Sequence, residues 1–246
     1  MNARQFLDTF VFVRKCGGCG ELLGADRVDA VFCEECQLKW NSAILQSCPE
    51  CFLGATECAC MPKELSRAGA LCLRKLFFYE SEDSYSPEMR MLYLQKNKKI
   101  DRINRFLCSQ LSKAVEQELG LLGAKQSAVV TYVPRSRAAR ASFGFDQSQR
   151  LARAMSEQLD IPLVRAFDTR RFVKKQKQLS ARARVSNAKA GIVLRGEASA
   201  VAGKYVVLLG DMVTTGASMA VCTRKLMSLG ALGVLCFSVA SRQNRK

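Results

Sequence analysis

The run Val206–Val207–Leu208–Leu209–Gly210–Asp211–Met212–Val213–Thr214–Thr215–Gly216–Ala217–Ser218 decides the fold. Four consecutive apolar residues read as a buried strand, and an acidic residue follows at its carboxyl end. Thr, Thr, Gly and Ser then make a tight loop. Met219, Cys222, Leu226 and Leu229 share one face of the helix behind it, which Gly230 ends. A strand, a hydroxyl- and glycine-rich loop and a helix in that order form an anion cradle. Backbone N–H groups and hydroxyls converge at the helix N-terminus, where the dipole favours negative charge. Asp211 is placed to hold sugar hydroxyls, or a metal attached to the phosphate.

Outward from this run, the pattern alternates between strand and helix. Ala128 to Val133 reads as a short buried strand, and 135–144 as a basic, turn-rich loop. Asp146 is placed as a helix N-cap, with Gln149 to complete a capping box ahead of Leu151, Met155 and Leu159. Ile161 to Ala166 reads as another strand, 170–195 as basic and irregular, and Val234 to Ala240 as a last strand. Continuous apolar strands alternating with helices predict an α/β fold, a parallel sheet flanked by helices on both faces. Ligands of such sheets bind beyond the carboxyl ends of the strands, so the loops at 134–144 and 211–218 should lie together. Before this core, Leu71 to Tyr79 suits a strand or a short helix. Residues 88–99 look helical and end in Lys96, Lys98 and Lys99. Ile103, Phe106, Leu107, Leu111, Ala114 and Val115 keep helical spacing up to Gly120.

The amino-terminal part has a different chemistry. Eight of the twelve cysteines form Cys16-x2-Cys19, Cys33-x2-Cys36, Cys48-x2-Cys51 and Cys58-x-Cys60. A Cys-x2-Cys knuckle places two thiolates on one side of a metal, and two knuckles close a tetrahedron. Eight thiols supply two structural Zn2+ sites with no coordination position left for water. The first four are expected to pair together and the last four together; a cross-braced pairing is the alternative. Cys72, Cys108, Cys222 and Cys236 sit in apolar surroundings and read as core residues. The chain therefore divides into a cysteine module, 1–62, a helical joining segment, 63–127, and the α/β core, 128–246.

Charge and composition limit the function. The 246 residues carry a net charge of +16 and contain no histidine, which excludes imidazole catalysis and histidine metal ligands. Residues 1–62 hold five Lys/Arg against eight Asp/Glu, whereas 128–190 hold fourteen against four. The positive field thus surrounds the anion loop rather than the cysteine module, and a polyanionic partner is expected. No run approaches the roughly 20 apolar residues of a membrane span. Phe6 to Val13 lacks the marks of a signal peptide. A cytoplasmic setting with reduced thiols is expected.

Taken together and in order, these motifs resemble the ComF family over nearly the whole chain. Asp211 to Ser218 is similar to the phosphoribosyltransferase signature. Val133–Pro134 followed by Phe143–Gly144–Phe145–Asp146–Gln147 is similar to a ComF stretch. Gln176, Leu179, Ser180, Arg184 and Asn187 match the spacing of a second, and Tyr85 to Lys96 resembles the segment leading to the first helices. The resemblance implies a zinc ribbon joined to a type I phosphoribosyltransferase fold. It implies phosphoribosyl pyrophosphate or a similar sugar phosphate as ligand, with Mg2+. Thr214, Thr215, Gly216, Ala217 and Ser218 would cradle the 5′-phosphate. Asp211 would hold a ribose hydroxyl and is the candidate catalytic residue. Arg135, Ser136, Arg137 and Arg140 would meet pyrophosphate. As an enzyme the chain would transfer a pentosyl group. The family's link to DNA uptake implies single-stranded DNA and other uptake proteins as partners; Phe143, Phe145 and Phe172 interleave with basic residues and are candidate stacking faces, with buried core positions the commoner case. The alternative is a DNA-binding or metabolite-sensing protein without turnover. Two positions depart from the family: Gly210 replaces the first of two adjacent acidic residues, and Phe143 replaces an arginine.

Overall fold

The structure, a computed structural model, describes residues 14–24, 27, 30–80, 86–170 and 191–243. Four strands make one parallel sheet: β1 (Ala70–Tyr79), β2 (Ala128–Tyr132), β5 (Tyr205–Val213) and β6 (Gly233–Arg242), in the order β1-β6-β5-β2. A two-stranded antiparallel ribbon, β3 (Phe167–Thr169) with β4 (Ile192–Leu194), stands apart from it. Among the described residues the α-helices are α1 (Glu34–Ile44), α2 (Lys63–Ser66), α3 (Pro87–Asn97), α4 (Asp101–Leu121), α5 (Arg137–Phe143), α6 (Gln147–Leu159) and α7 (Ala217–Ser228).

Strand alternation sorts the core into two layers. On β5, Val207 and Leu209 face α3, α4 and α6, while Val206 and Leu208 face α2 and α7. Both faces of the central strands are covered, which is why their sequences run apolar without interruption. The Leu71 to Tyr79 segment resolves as strand and pairs in parallel with β6 at the sheet edge, so part of 63–127 belongs to the same sheet as 128–246. The cysteine module is also packed on the sheet. Trp40 is 1% exposed and its ring lies 5.6 Å from Phe77 and 5.3 Å from Phe106.

Four local readings differ from the sequence pattern, one being that Ile192–Leu194, within the stretch 170–195 read as irregular, forms β4 against β3. Ile161 to Ala166 gives only a single parallel bridge, Leu163 beside Val130. Pro162 has no N–H to donate; its carbonyl accepts from Val130 N at 2.8 Å, and Val164 N donates to Val130 O at 2.8 Å before the chain turns away. The turn-rich stretch 135–144 contains α5, capped by Ser136 and closed by Gly144 in the left-handed region. Gly120 does not stop α4, which runs one residue further to Leu121.

Candidate functional site

At the carboxyl edge of the sheet β5 runs on past Leu209, through Gly210 and Asp211, to Val213. The chain turns at Thr214–Thr215 and enters α7 through Gly216, whose φ of +70° only glycine adopts without strain. Gly216, the N-cap, has no side chain with which to cap this helix. The run from Gly210 to Met219, with Val133 opposite, lines an open concavity. Thr214, Thr215 and Ser218 are half-buried at its surface. The back of the turn is closed: a Cβ on Gly216 would come within 3.2 Å of the Pro62 ring and 3.5 Å of Leu65 Cβ. The turn therefore has a packed rear and an accessible front, the arrangement an anion cradle needs.

Asp211 is positioned by two elements distant in sequence. Gln147 Nε2, at the start of α6, donates to Asp211 Oδ2 at 2.8 Å. Lys96 Nζ, near the end of α3, lies 3.9 Å from the same oxygen. Gln147 is 4% exposed, and its Oε1 has no hydrogen-bond partner among the described residues. Next to Lys96, buried Gln95 likewise has neither amide atom paired among them. Gly210 contributes no carboxylate, and the space a Cβ would use is taken by the Met219 methyl at 2.9 Å.

The arginines expected on one loop go two ways. Arg135 is buried. Its N–H donates to Asp146 Oδ2 at 2.7 Å, its Nη1 donates to Lys96 O at 2.7 Å, and its guanidinium lies 4.3 Å from the Phe143 ring centre. Burial pushes Arg135 down from the usual arginine value, against the opposing pull of Asp211 and Asp146. Arg137 and Arg140 instead converge on Asp168, Arg137 Nη2 at 3.3 Å, and Arg195 stands 3.8 Å away. Burial pushes the Asp168 carboxyl up, but the Thr169 amide and the Arg140 and Arg137 guanidiniums outweigh it and hold the group below the ordinary aspartate range. Ser136 caps α5 by accepting from Ala139 N.

Asp146 caps α6 as expected, accepting from Ser148 N at 3.0 Å and Gln149 N at 3.2 Å. Burial leaves its carboxyl raised despite these donors. Gln149 does not complete the box: with its amide oriented to satisfy both ends, its oxygen accepts from Arg165 Nη2 at 3.1 Å. Phe143 is occupied by Arg135, and Phe145 lies between Arg135 and Arg150, 5.7 and 5.3 Å from their guanidinium carbons. Sequence reading missed Gln147 as a partner of Asp211, and Asp168 and Arg195 altogether. The Asp146–Gln147 pair was visible as a helix start; its contact across 64 residues had no local signal.

The eight module cysteines form two clusters in sequential order, Cys16, Cys19, Cys33 and Cys36, then Cys48, Cys51, Cys58 and Cys60. Within each, all sulfurs lie within 4.8 Å of one another. Cys16 and Cys19 Sγ stand 3.7 and 3.8 Å from Cys33 Sγ. Four sulfurs about 2.3 Å from a tetrahedral zinc are about 3.8 Å apart, so the donor set fits this metal. One thiol in each cluster is pulled toward the thiolate. Burial pushes Cys16 up, but amides of Cys33, Cys19 and Gly18 bring it to about 6; the Leu53 amide is the main cause that brings Cys51 to about 7. All twelve cysteines are unbridged.

Gln176, Leu179, Ser180, Arg184, Asn187 and Phe172, together with Tyr85 and the Phe6 to Val13 run, lie outside the described residues. Among the described residues no helix is long and apolar enough to cross a membrane.

No protein-family model and no curated protein matches the chain. Solved structures do match it. One, described as the allosteric regulatory enzyme of purine biosynthesis, is 22% identical with a TM-score of 0.39, over 61% of this chain and 30% of its own. The chain thus spans under a third of that protein's length.

Proposed function

We propose that this chain binds phosphoribosyl pyrophosphate or a related sugar phosphate in the concavity above Asp211–Ser218. The observation that carries the reading is the accessible, glycine-turned start of α7 directly beyond a buried parallel strand, with Asp211 beside it. In this reading the amides and hydroxyls from Thr214 to Ser218 take the 5′-phosphate, and Asp211, oriented by Gln147, accepts from a ribose hydroxyl. Lys96 adds positive charge at the rim. Arg137 and Arg140 reach a pyrophosphate only by exchanging Asp168 for it. Arg135 acts by holding Lys96 and Asp146 in place.

In a transferase step the acceptor forms a bond to the anomeric carbon, and the carbon–oxygen bond breaks with its electrons leaving on pyrophosphate. Mg2+ bound to that pyrophosphate would neutralise the leaving group, with Asp211 the one carboxylate among the described residues lining the concavity. The likeness to the ComF family supports a 1–62 zinc module, a 63–127 joining segment and a 128–246 phosphoribosyltransferase-like core. It also supports a cytoplasmic role in DNA uptake or nucleotide metabolism, with single-stranded DNA on the basic surface. A second reading, binding without turnover, is favoured by one observation: the Met219 methyl occupies the place where a residue-210 carboxylate would begin.

Thermal titration with phosphoribosyl pyrophosphate and Mg2+, with and without an oligonucleotide, tests the proposal. The wild type should be stabilised, and Asp211→Ala should lose most of that stabilisation while melting normally without ligand. An equal shift in the variant would remove Asp211 from the site, and no shift in the wild type would remove the site.

A further inference from the structure

Lys75 has no place in the site described above, yet it is among the most completely buried side chains, 1% exposed in the middle of β1. Among the described residues no carboxylate pairs with it. Its ammonium donates to the carbonyls of Cys60 at 2.8 Å, Cys58 at 3.2 Å and Leu73 at 3.5 Å, and it lies 5.4 Å from the centre of the Phe78 ring. Carbonyls and a ring face satisfy its donors but supply no formal countercharge, and an uncompensated buried cation is strongly unfavourable. Formal negative charge is available next door. The Cys48, Cys51, Cys58 and Cys60 sulfurs hold a metal-binding arrangement, and a zinc ion with four thiolates carries a net charge of about −2.

A second observation links this cluster to the anion loop. Only Met61 separates Cys60 from Pro62, and the Pro62 ring is what a Cβ on Gly216 would strike. Leu65, in the short helix that follows, is fully buried against α7, and Met61 joins the same core layer. The second cluster therefore anchors the segment that forms the packed rear of the Thr214–Gly216 turn.

We propose that Lys75 is a positioning residue, the built-in counter-cation of the second cysteine cluster, and that metal binding there is coupled to sugar-phosphate binding at the Gly216 turn. The coupling rests on the sugar-phosphate reading of that turn; the role of Lys75 toward the metal does not. With metal bound, Lys75 ties the Cys58 and Cys60 carbonyls to β1, and Pro62 and Leu65 are pressed under Gly216. With metal lost, the carbonyl anchor and its charge partner loosen together, and the turn loses its support. The linkage is reciprocal: sugar phosphate should slow metal loss from the second cluster.

The test uses the full zinc-loaded chain and three variants: Lys75→Met, which keeps length and removes charge, Lys75→Arg, which restores charge, and Cys19→Ser, which disables the first cluster. Zinc per chain, zinc release to a chromophoric chelator, hydrogen exchange of the 214–217 amides and affinity for ribose 5-phosphate are measured. Lys75→Met should retain first-cluster zinc and release second-cluster zinc about tenfold faster or more. Its 214–217 amides should exchange faster, and ribose 5-phosphate should bind about tenfold more weakly, within the usual range of site-to-site coupling. Lys75→Arg should recover part of each effect. Cys19→Ser should leave 214–217 exchange unchanged. Should Lys75→Met fail to fold, chelator titration of Cys19→Ser, which carries only the second metal, must raise 214–217 exchange as zinc leaves. Second-cluster zinc held as tightly in Lys75→Met as in wild type overturns the role of Lys75. Metal loss with unchanged 214–217 exchange overturns the coupling. Wild type that ignores ribose 5-phosphate while its exchange follows the metal overturns the sugar-phosphate reading alone.

Discussion

Substituting Gly216 by alanine separates the backbone demand of the turn from its packing demand. The φ of +70° places an alanine in the left-handed region, at about 1–2 kcal/mol. Reduced freedom of the unfolded chain offsets about 0.4–1 kcal/mol of that. The net strain is therefore about 1 kcal/mol. The new methyl also meets the Pro62 ring at 3.2 Å, with Leu65 behind it at 3.5 Å. Pro62 is pinned between the second cysteine cluster and the turn, so relief requires the turn to move, adding about 1 kcal/mol at the low end of overpacking effects. Gly203→Ala is the control. Its φ is +67° and a Cβ there meets nothing within 4 Å, so it carries the strain without the contact. Urea denaturation should give losses of about 2 kcal/mol for Gly216→Ala and about 1 kcal/mol for Gly203→Ala. Melting temperatures should fall by about 4–8 °C and 2–4 °C respectively for a chain of this size. Stabilisation by ribose 5-phosphate should shrink in the first variant alone. Equal losses for the two variants, with ligand response intact in both, would refute the claim that Pro62 supports the turn.

Gln147→Leu removes the amide that orients Asp211; sugar-phosphate affinity should fall about tenfold, one charge-assisted hydrogen bond or about 1.5 kcal/mol, as read by calorimetry. Asp168→Asn should destabilise the chain by up to about 1 kcal/mol at neutral pH, because the partners are partly exposed. The folded Asp168 carboxyl titrates below its unfolded counterpart. Its stabilisation is thus complete above the unfolded value of about 3.9 and lost as pH falls through the folded one, so the gap between wild type and Asp168→Asn should close below about pH 4 in urea titrations. Single-stranded DNA affinity should fall steeply with salt, with a log–log slope of about −0.7 per phosphate contacted, and salt-independent binding in a filter assay would count against backbone contact.

The sequence was most informative where one short segment carries the whole signal. The apolar run before Gly210, the uncapped glycine turn and the face of α7 are contiguous, and local rules suffice for them. The cysteine spacing located both clusters, though only the coordinates chose sequential over cross-braced grouping. The helix in 135–144 was legible in hindsight: Ser136 caps it, Ala138, Ala139 and Ala141 favour it, and Gly144 ends it. The density of arginines in that stretch drew the loop reading instead. Contacts across long separations were not legible, because no periodicity encodes them. Lys96 and Gln147 meet Asp211 from helices 115 and 64 residues earlier in the chain, 211 − 96 and 211 − 147. Lys75 showed only as a charge inside an apolar strand pattern, and its partner carbonyls lie in another part of the chain.

The charges around Asp211 bear on which proposed activity the site would favour. A carboxylate that is to share a metal with a pyrophosphate works best with its oxygens unclaimed and with a second carboxylate beside it. Here one oxygen accepts from Gln147 and faces Lys96, and position 210 offers the Met219 methyl in place of a second acid. The same features do not oppose a phosphate monoester. As proposed, Lys96 and the start of α7 would both attract it, and Gln147 would keep Asp211 turned toward a hydroxyl rather than toward the phosphate's charge. Under the proposed sugar-phosphate reading, the site would discriminate between the two halves of phosphoribosyl pyrophosphate. In that reading it would suit the 5′-phosphate and ribose, while Arg137 and Arg140, proposed for the pyrophosphate end, are already engaged by Asp168. Retention of the sugar phosphate with little assistance to departure of a pyrophosphate is the behaviour such a division would favour, and it is the behaviour a sensor of sugar phosphates requires.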